Sequence, residues 1–81
     1  MNDQVKEDKF ELQKSFGNHL VRLRESKGLT AAKLARRCYI KRSSIARLES
    51  DRTNPSLFVL KKLSIGFEMN IEGIFKGIQI I

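Results

Sequence analysis

The chain has 81 residues, enough for one small domain with a modest core and no room for a second. Sixteen Lys+Arg against nine Asp+Glu leave a net charge of +7, which makes a polyanion the natural partner, nucleic acid or an anionic membrane surface. A single cysteine excludes an intramolecular disulfide, and one cysteine with one histidine excludes a structural zinc site; no metal or other cofactor is expected.

The charge is unevenly spread. From Met1 to Lys14 the bases Lys6, Lys9 and Lys14 face the acids Asp3, Glu7, Asp8 and Glu11, whereas between Arg22 and Lys62 the acids are Glu25, Glu49 and Asp51 alone. The positive field belongs to the middle of the chain. The opening "MNDQVKEDKF" has no apolar stretch of signal-peptide length, and the tail "IFKGIQII" is far short of the roughly 20 residues of a membrane-spanning helix. A soluble, cytoplasmic protein is expected, with residues 1–8 as a polar flexible segment, residues 9–77 as the domain and residues 78–81 as an apolar tail.

Phe16, Leu20 and Leu23 have the i, i+4, i+7 spacing of one helix face, which predicts a first helix from about Lys9 to Lys27, closed by Gly28. Thr30 is a good N-cap, and Leu29 with Leu34 suits a hydrophobic staple, so a second helix runs from about Ala31 to Arg37 with Leu34, Ala35 and Cys38 inward. Tyr39 and Ile40 interrupt, and "KRSSIARLES" predicts a third helix. Asn54-Pro55-Ser56 is a stop and restart before "LFVLKKLSIGF", whose inward residues would be Leu57, Leu60 and Leu63. Asn70 is expected to cap a fifth helix, "IEGIFK", buried through Ile71, Ile74 and Phe75. Strand signals are poor apart from an extended piece at Ile78 to Ile81, so the predicted fold is all-α, five short helices in one compact bundle.

At about 100° per residue the third helix places Ile45 and Leu48 on one side and Arg42, Ser43, Ala46, Arg47 and Ser50 on the other. The outward side is short-chained except for two arginines. Such a face can lie deep in a groove while two long donors reach base edges; a merely solvated face more often mixes Glu and Lys. A two-turn helix and a tight connection precede it, the arrangement in which one helix braces another across a DNA backbone.

The run from Leu20 to Leu57, "LVRLRESKGLTAAKLARRCYIKRSSIARLESDRTNPSL", resembles the helix-turn-helix domain of the Cro and phage-repressor (XRE) family. The likeness is carried by "RLRESKGLT", "KLARR", "RSSIARLES" and "NPSL" at the right mutual spacings. It implies a five-helix, lambda-repressor-like DNA-binding domain in which Arg42, Ser43 and Arg47 face base edges and Ala46 lies close enough to touch a thymine methyl. Arginine binds guanine in a bidentate manner, so G·C pairs are expected in each half-site. The resemblance further implies that Ser44 and Ser50 bind phosphate, with Lys33, Lys41 and Arg52 as further phosphate candidates, and that Arg24 and Glu49 form a structural ion pair. Three positions depart from the family pattern. Ala31 stands where a glutamine frequently binds phosphate, and Tyr39 and Asp51 stand where glycine is usual; a positive φ at Tyr39 would cost on the order of 1 kcal/mol.

Phe58 and Ile65 fall where the family's fourth helix usually shows polar residues. With Ile78, Ile80 and Ile81 they exceed what so small a core can use, which points to a homodimer interface formed by helices four and five and the tail. The leading expectation is a dimeric transcriptional regulator of double-stranded DNA that competes with or recruits RNA polymerase. A phage or mobile-element repressor, a restriction-modification controller and an antitoxin fit this size alike. The alternative is a protein-interaction module that uses the same apolar face to hold a protein partner. Catalysis is the weakest option, because His19 is isolated and Ser43 and Ser44 near Lys41 have no activating base. Membrane association is disfavoured, since the basic helices lack a large apolar face.

Overall fold

The computed structural model describes residues 3–50 and 53–78, and folds them as five helices: α1 (Asp3–Ser26), α2 (Ala31–Cys38), α3 (Arg42–Glu49), α4 (Leu57–Phe67) and α5 (Ile71–Phe75). The first starts at Asp3, well before the expected Lys9, because the segment from Asp3 to Gln13 draws more than half of its residues from the helix formers Glu, Lys, Gln and Leu and contains no glycine or proline to break it. Of the expected extended piece, Ile78 is not in a strand and its N–H donates to the Phe75 carbonyl at 3.1 Å; Ile80 and Ile81 lie outside the described residues.

Helix ends follow local chemistry. Gly28, at φ 67°, ends α1 in a Schellman motif: its N–H donates to the Glu25 carbonyl at 2.9 Å, and that of Leu29 to Arg24 at 3.1 Å. The Thr30 hydroxyl accepts from the Lys33 N–H and the Ser56 hydroxyl from the Val59 N–H, each at 3.1 Å. Asn70 holds the N-cap position of α5, but its side chain caps nothing. Tyr39 ends α2 at φ 58°, and the same motif recurs there without glycine: its N–H reaches the Arg36 carbonyl at 3.2 Å, and that of Ile40 reaches Ala35 at 3.1 Å.

The core joins Phe16, Leu20, Leu29, Leu34, Ala35, Cys38, Ile45, Leu48, Leu63, Phe67 and Ile74. Of the residues expected inside on α4, Leu63 is buried and Leu60 packs partly buried against the core, but Leu57 is 76% exposed; Gly66 and Phe67 complete the inward face. A contiguous apolar helix such as "LFVLKKLSIGF" has no clear period to choose its face. The choice falls to a close approach: a side chain at Gly66 would collide with Cys38 Sγ, so only glycine lets α4 meet the end of α2. Gly17 does the same where α1 crosses α3, since a Cβ there would lie 2.8 Å from the Glu49 carbonyl oxygen and 2.9 Å from that of Ser50. Two buried polar groups are satisfied across elements. Gln13 Nε2 donates to Asn54 Oδ1 at 2.8 Å, and His19 Nε2 meets the Ile74 carbonyl, which fixes Nε2 as the protonated nitrogen.

Candidate nucleic-acid interface

Helix α3 is anchored by Ile45 and Leu48, 1% and 4% exposed. With those two residues inward, helical geometry turns Arg42, Ser43, Ala46 and Arg47 outward, and all four are exposed. Ser44 is half-buried at the edge of this face. Lys41 holds the N-cap position and is exposed; no side chain caps this end, so the first N–H groups of α3 are left for water or an anion. Lys33 stands exposed in the first turn of α2. Ala31 beside it is half-buried and presents no hydrogen-bonding side chain. Arg52 and Asp51 lie outside the described residues.

The pair behind α3 sets its distance from α1. Arg24 Nε donates to Glu49 Oε2 at 2.7 Å and Nη2 to Oε1 at 3.3 Å, while Nη1 reaches the Leu29 carbonyl at 2.9 Å. Both side chains are mostly covered, 16% and 12% exposed, so neither is available to a ligand. Donating to Glu49 favours the guanidinium charge more than burial opposes it, and the Arg24 pKa is pushed up. One guanidinium thus connects the last turn of α1, the approach to α2 and the last residue of α3.

At the far end of α3 the hydroxyls of Ser50 and Thr53 both donate to the Arg47 carbonyl, at 2.6 and 2.7 Å. A hydroxyl has one proton to give, so in this conformation Ser50 offers a phosphate only its lone pairs. Thr53 carries no local sequence signal for this role, since the bond spans six residues of chain. Two further features escaped the sequence reading. Arg36 and Arg37 are exposed in the last turn of α2, extending the basic surface. Lys62 donates to the Tyr39 carbonyl at 3.2 Å and sits 4.7 Å from the Phe58 ring centroid. The Phe58–Lys62 contact was legible from i, i+4 spacing; the Tyr39 contact, between residues 23 apart, was not.

The remaining candidate surface is on α4. Phe58 and Ile65 are 67% and 51% exposed, with Leu57 beside them, whereas Ile78 is half-buried against the core.

A helix held across a tight left-handed turn against a second one, which shows solvent two arginines among small residues, is a helix-turn-helix DNA-binding domain. The family model described as helix-turn-helix matches residues 20–74, and the chain belongs to that family. It is 33% identical over 66 residues to the HTH-type transcriptional activator BcrR of Enterococcus faecalis, covering 82% of this chain but only 32% of that protein; the chain spans about a third of the relative's length. It is also similar to the crystal structure of the restriction-modification controller protein C.AhdI from Aeromonas hydrophila, with a TM-score of 0.73 and 30% identity over 78% of this chain and 96% of that one. No helix among the described residues is long and apolar enough to cross a membrane.

Proposed function

We propose that the chain is a sequence-specific transcriptional regulator that binds double-stranded DNA as a cytoplasmic homodimer, without a cofactor and without catalytic activity. The observation that carries this is the outward face of α3, where Arg42, Ser43, Ala46 and Arg47 are jointly exposed on a helix whose opposite side is locked into the core. Laid in a major groove, that face brings two guanidinium groups to base edges, with Ser43 and Ala46 small enough to allow the approach. Lys33, Lys41, Ser44 and Arg52 are the proposed backbone contacts, which set register and carry no sequence information; Ser50 joins them once its hydroxyl turns from the Arg47 carbonyl to a phosphate oxygen. The α4 surface of Leu57, Phe58 and Ile65 supports pairing of two copies, so that two recognition helices address half-sites about one helical turn apart. Likeness over nearly the whole of a restriction-modification controller favours a controller role among the contexts this size allows.

Selecting bound sequences from random DNA tests the reading directly. The expected outcome is a two-fold symmetric site with G·C pairs in each half, and Arg47→Ala weakening binding to it by about 5- to 150-fold, the worth of one bidentate arginine–guanine contact. Binding indifferent to sequence would remove the claim of specific readout. Sedimentation decides the assembly: a strict monomer that retains no DNA favours a module that holds a protein partner on the α4 face.

A further inference from the structure

We propose that Lys62 is a positioning residue for DNA reading, tying the α2–α3 turn to α4 and transmitting the state of the exposed Phe58 face to α3. This rests on the DNA-binding reading above. The ammonium is a shared group. It donates to the Tyr39 carbonyl, in a residue held at φ 58°, and lies over the ring of Phe58, one helical turn earlier on the same side of α4. A cation beside Tyr39, the residue that ends α2, also stands at the negative end of that helix.

The turn is where such a contact has leverage. A non-glycine residue in the left-handed region occupies a narrow well, so holding its carbonyl holds the direction in which the chain departs. Three residues later the chain is Arg42, the first residue of α3 and a proposed base reader. Phe58 meanwhile is 67% exposed, so the ammonium above it is partly in water. Covering Phe58 with a second copy of the chain removes that water and strengthens both contacts of Lys62, because each is electrostatic and grows as the local dielectric falls. Linkage makes the effect reciprocal: pairing through Phe58 favours the DNA-reading turn, and DNA binding favours pairing.

The test compares wild type, Lys62→Met, Lys62→Arg, Phe58→Ala and the Phe58→Ala/Lys62→Met double variant in the full chain. Affinity is measured for the selected site and for random DNA over a salt series. Lys62→Met is expected to lower the specific-to-random ratio about tenfold, the size of one charge-assisted hydrogen bond, with an unchanged slope of log K against log salt. Lys62→Arg should restore most of the ratio, and Phe58→Ala, which also weakens pairing, should lower it by a smaller factor in the Lys62→Met background than in wild type. An unchanged ratio with a slope reduced by about one would make Lys62 a phosphate contact and overturn the proposal. Additive effects of Phe58→Ala and Lys62→Met would overturn the coupling.

Amide exchange without DNA separates this proposal from the DNA reading. The N–H groups of Tyr39 and Ile40, bonded to Arg36 and Ala35, should exchange several-fold faster in Lys62→Met; exchange at the wild-type rate would show that no latch exists, whatever the DNA experiments give.

Discussion

Gly66 lies in α4 against Cys38, and a methyl group there would fall inside the van der Waals envelope of Sγ, 3.3 Å from the Cys38 nitrogen and 3.4 Å from its Cβ. Cys38 is 0% exposed, so the sulfur has no free direction in which to turn. Gly66→Ala must therefore part α2 from α4. Overpacking costs about 1–3 kcal/mol, and overlap with a trapped sulfur belongs at the upper end; replacing a glycine inside a helix returns about 1 kcal/mol. The expected net loss is about 2 kcal/mol, which lowers Tm by about 4–8 °C per kcal/mol in a chain of this size. Cys38→Ala removes the obstructing atom and leaves contacts that shifts of a few tenths of an ångström can relieve. The double variant should thus be more stable than Gly66→Ala, although Cys38→Ala alone costs about 1 kcal/mol for the lost buried sulfur. Urea titrations followed by circular dichroism, compared at equal slope, measure all four proteins. If Gly66→Ala unfolds at or above the wild-type midpoint, or if Cys38→Ala fails to rescue it, the contact does not set the α2–α4 distance.

Tyr39→Gly relieves the left-handed backbone and keeps the carbonyl that Lys62 holds; after the extra freedom of glycine in the unfolded chain is subtracted, stability should rise by roughly 0.5–1 kcal/mol, visible as a higher urea midpoint. Glu49→Gln leaves the mostly covered Arg24 charge without its neutralising partner and should cost about 1–3 kcal/mol, reduced by what solvent still screens. A Glu49→Gln midpoint equal to wild type would make the pair decorative. Burial pushes the Cys38 thiol above its ordinary value of 9.0, so the folded chain keeps a proton that the unfolded chain loses; stability linked to this group is fully present below pH 9.0 and is lost as pH rises from there through the raised folded value. Wild type should lose more stability than Cys38→Ala between pH 8 and pH 11 on the order of one thiol's linkage, and parallel pH profiles would contradict it.

Much of the fold was legible where one face of a helix repeats. Leu34, Ala35 and Cys38, and then Ile45 and Leu48, are buried as their spacing predicts, and Thr30 and Ser56 cap the helices that follow them. Reading failed where the pattern was ambiguous or the partner distant. The true start of α1 at Asp3 is not legible, because a charged segment without an apolar stripe gives little sign of starting. The exposure of Leu57 is not legible because α4 is apolar on nearly every side, and the face that turns inward depends on where Gly66 meets α2. On the candidate interface, the exposure of Arg42, Ser43, Ala46 and Arg47 follows from anchoring Ile45 and Leu48. The bond from the Thr53 hydroxyl to the Arg47 carbonyl does not follow, since it joins residues six apart that share no helix.

Periodicity and caps are local properties, carried by residues within a helical turn or two of one another, and the sequence alone therefore determined five helices, their order and the outward side of α3. Contacts between residues far apart obey no such period. The crossing of α1 and α3 at Gly17, the seating of α4 on Cys38, and the hold of Lys62 on a strained turn 23 residues away exist only once the helices are packed, and it is packing that chooses among faces the sequence leaves equivalent.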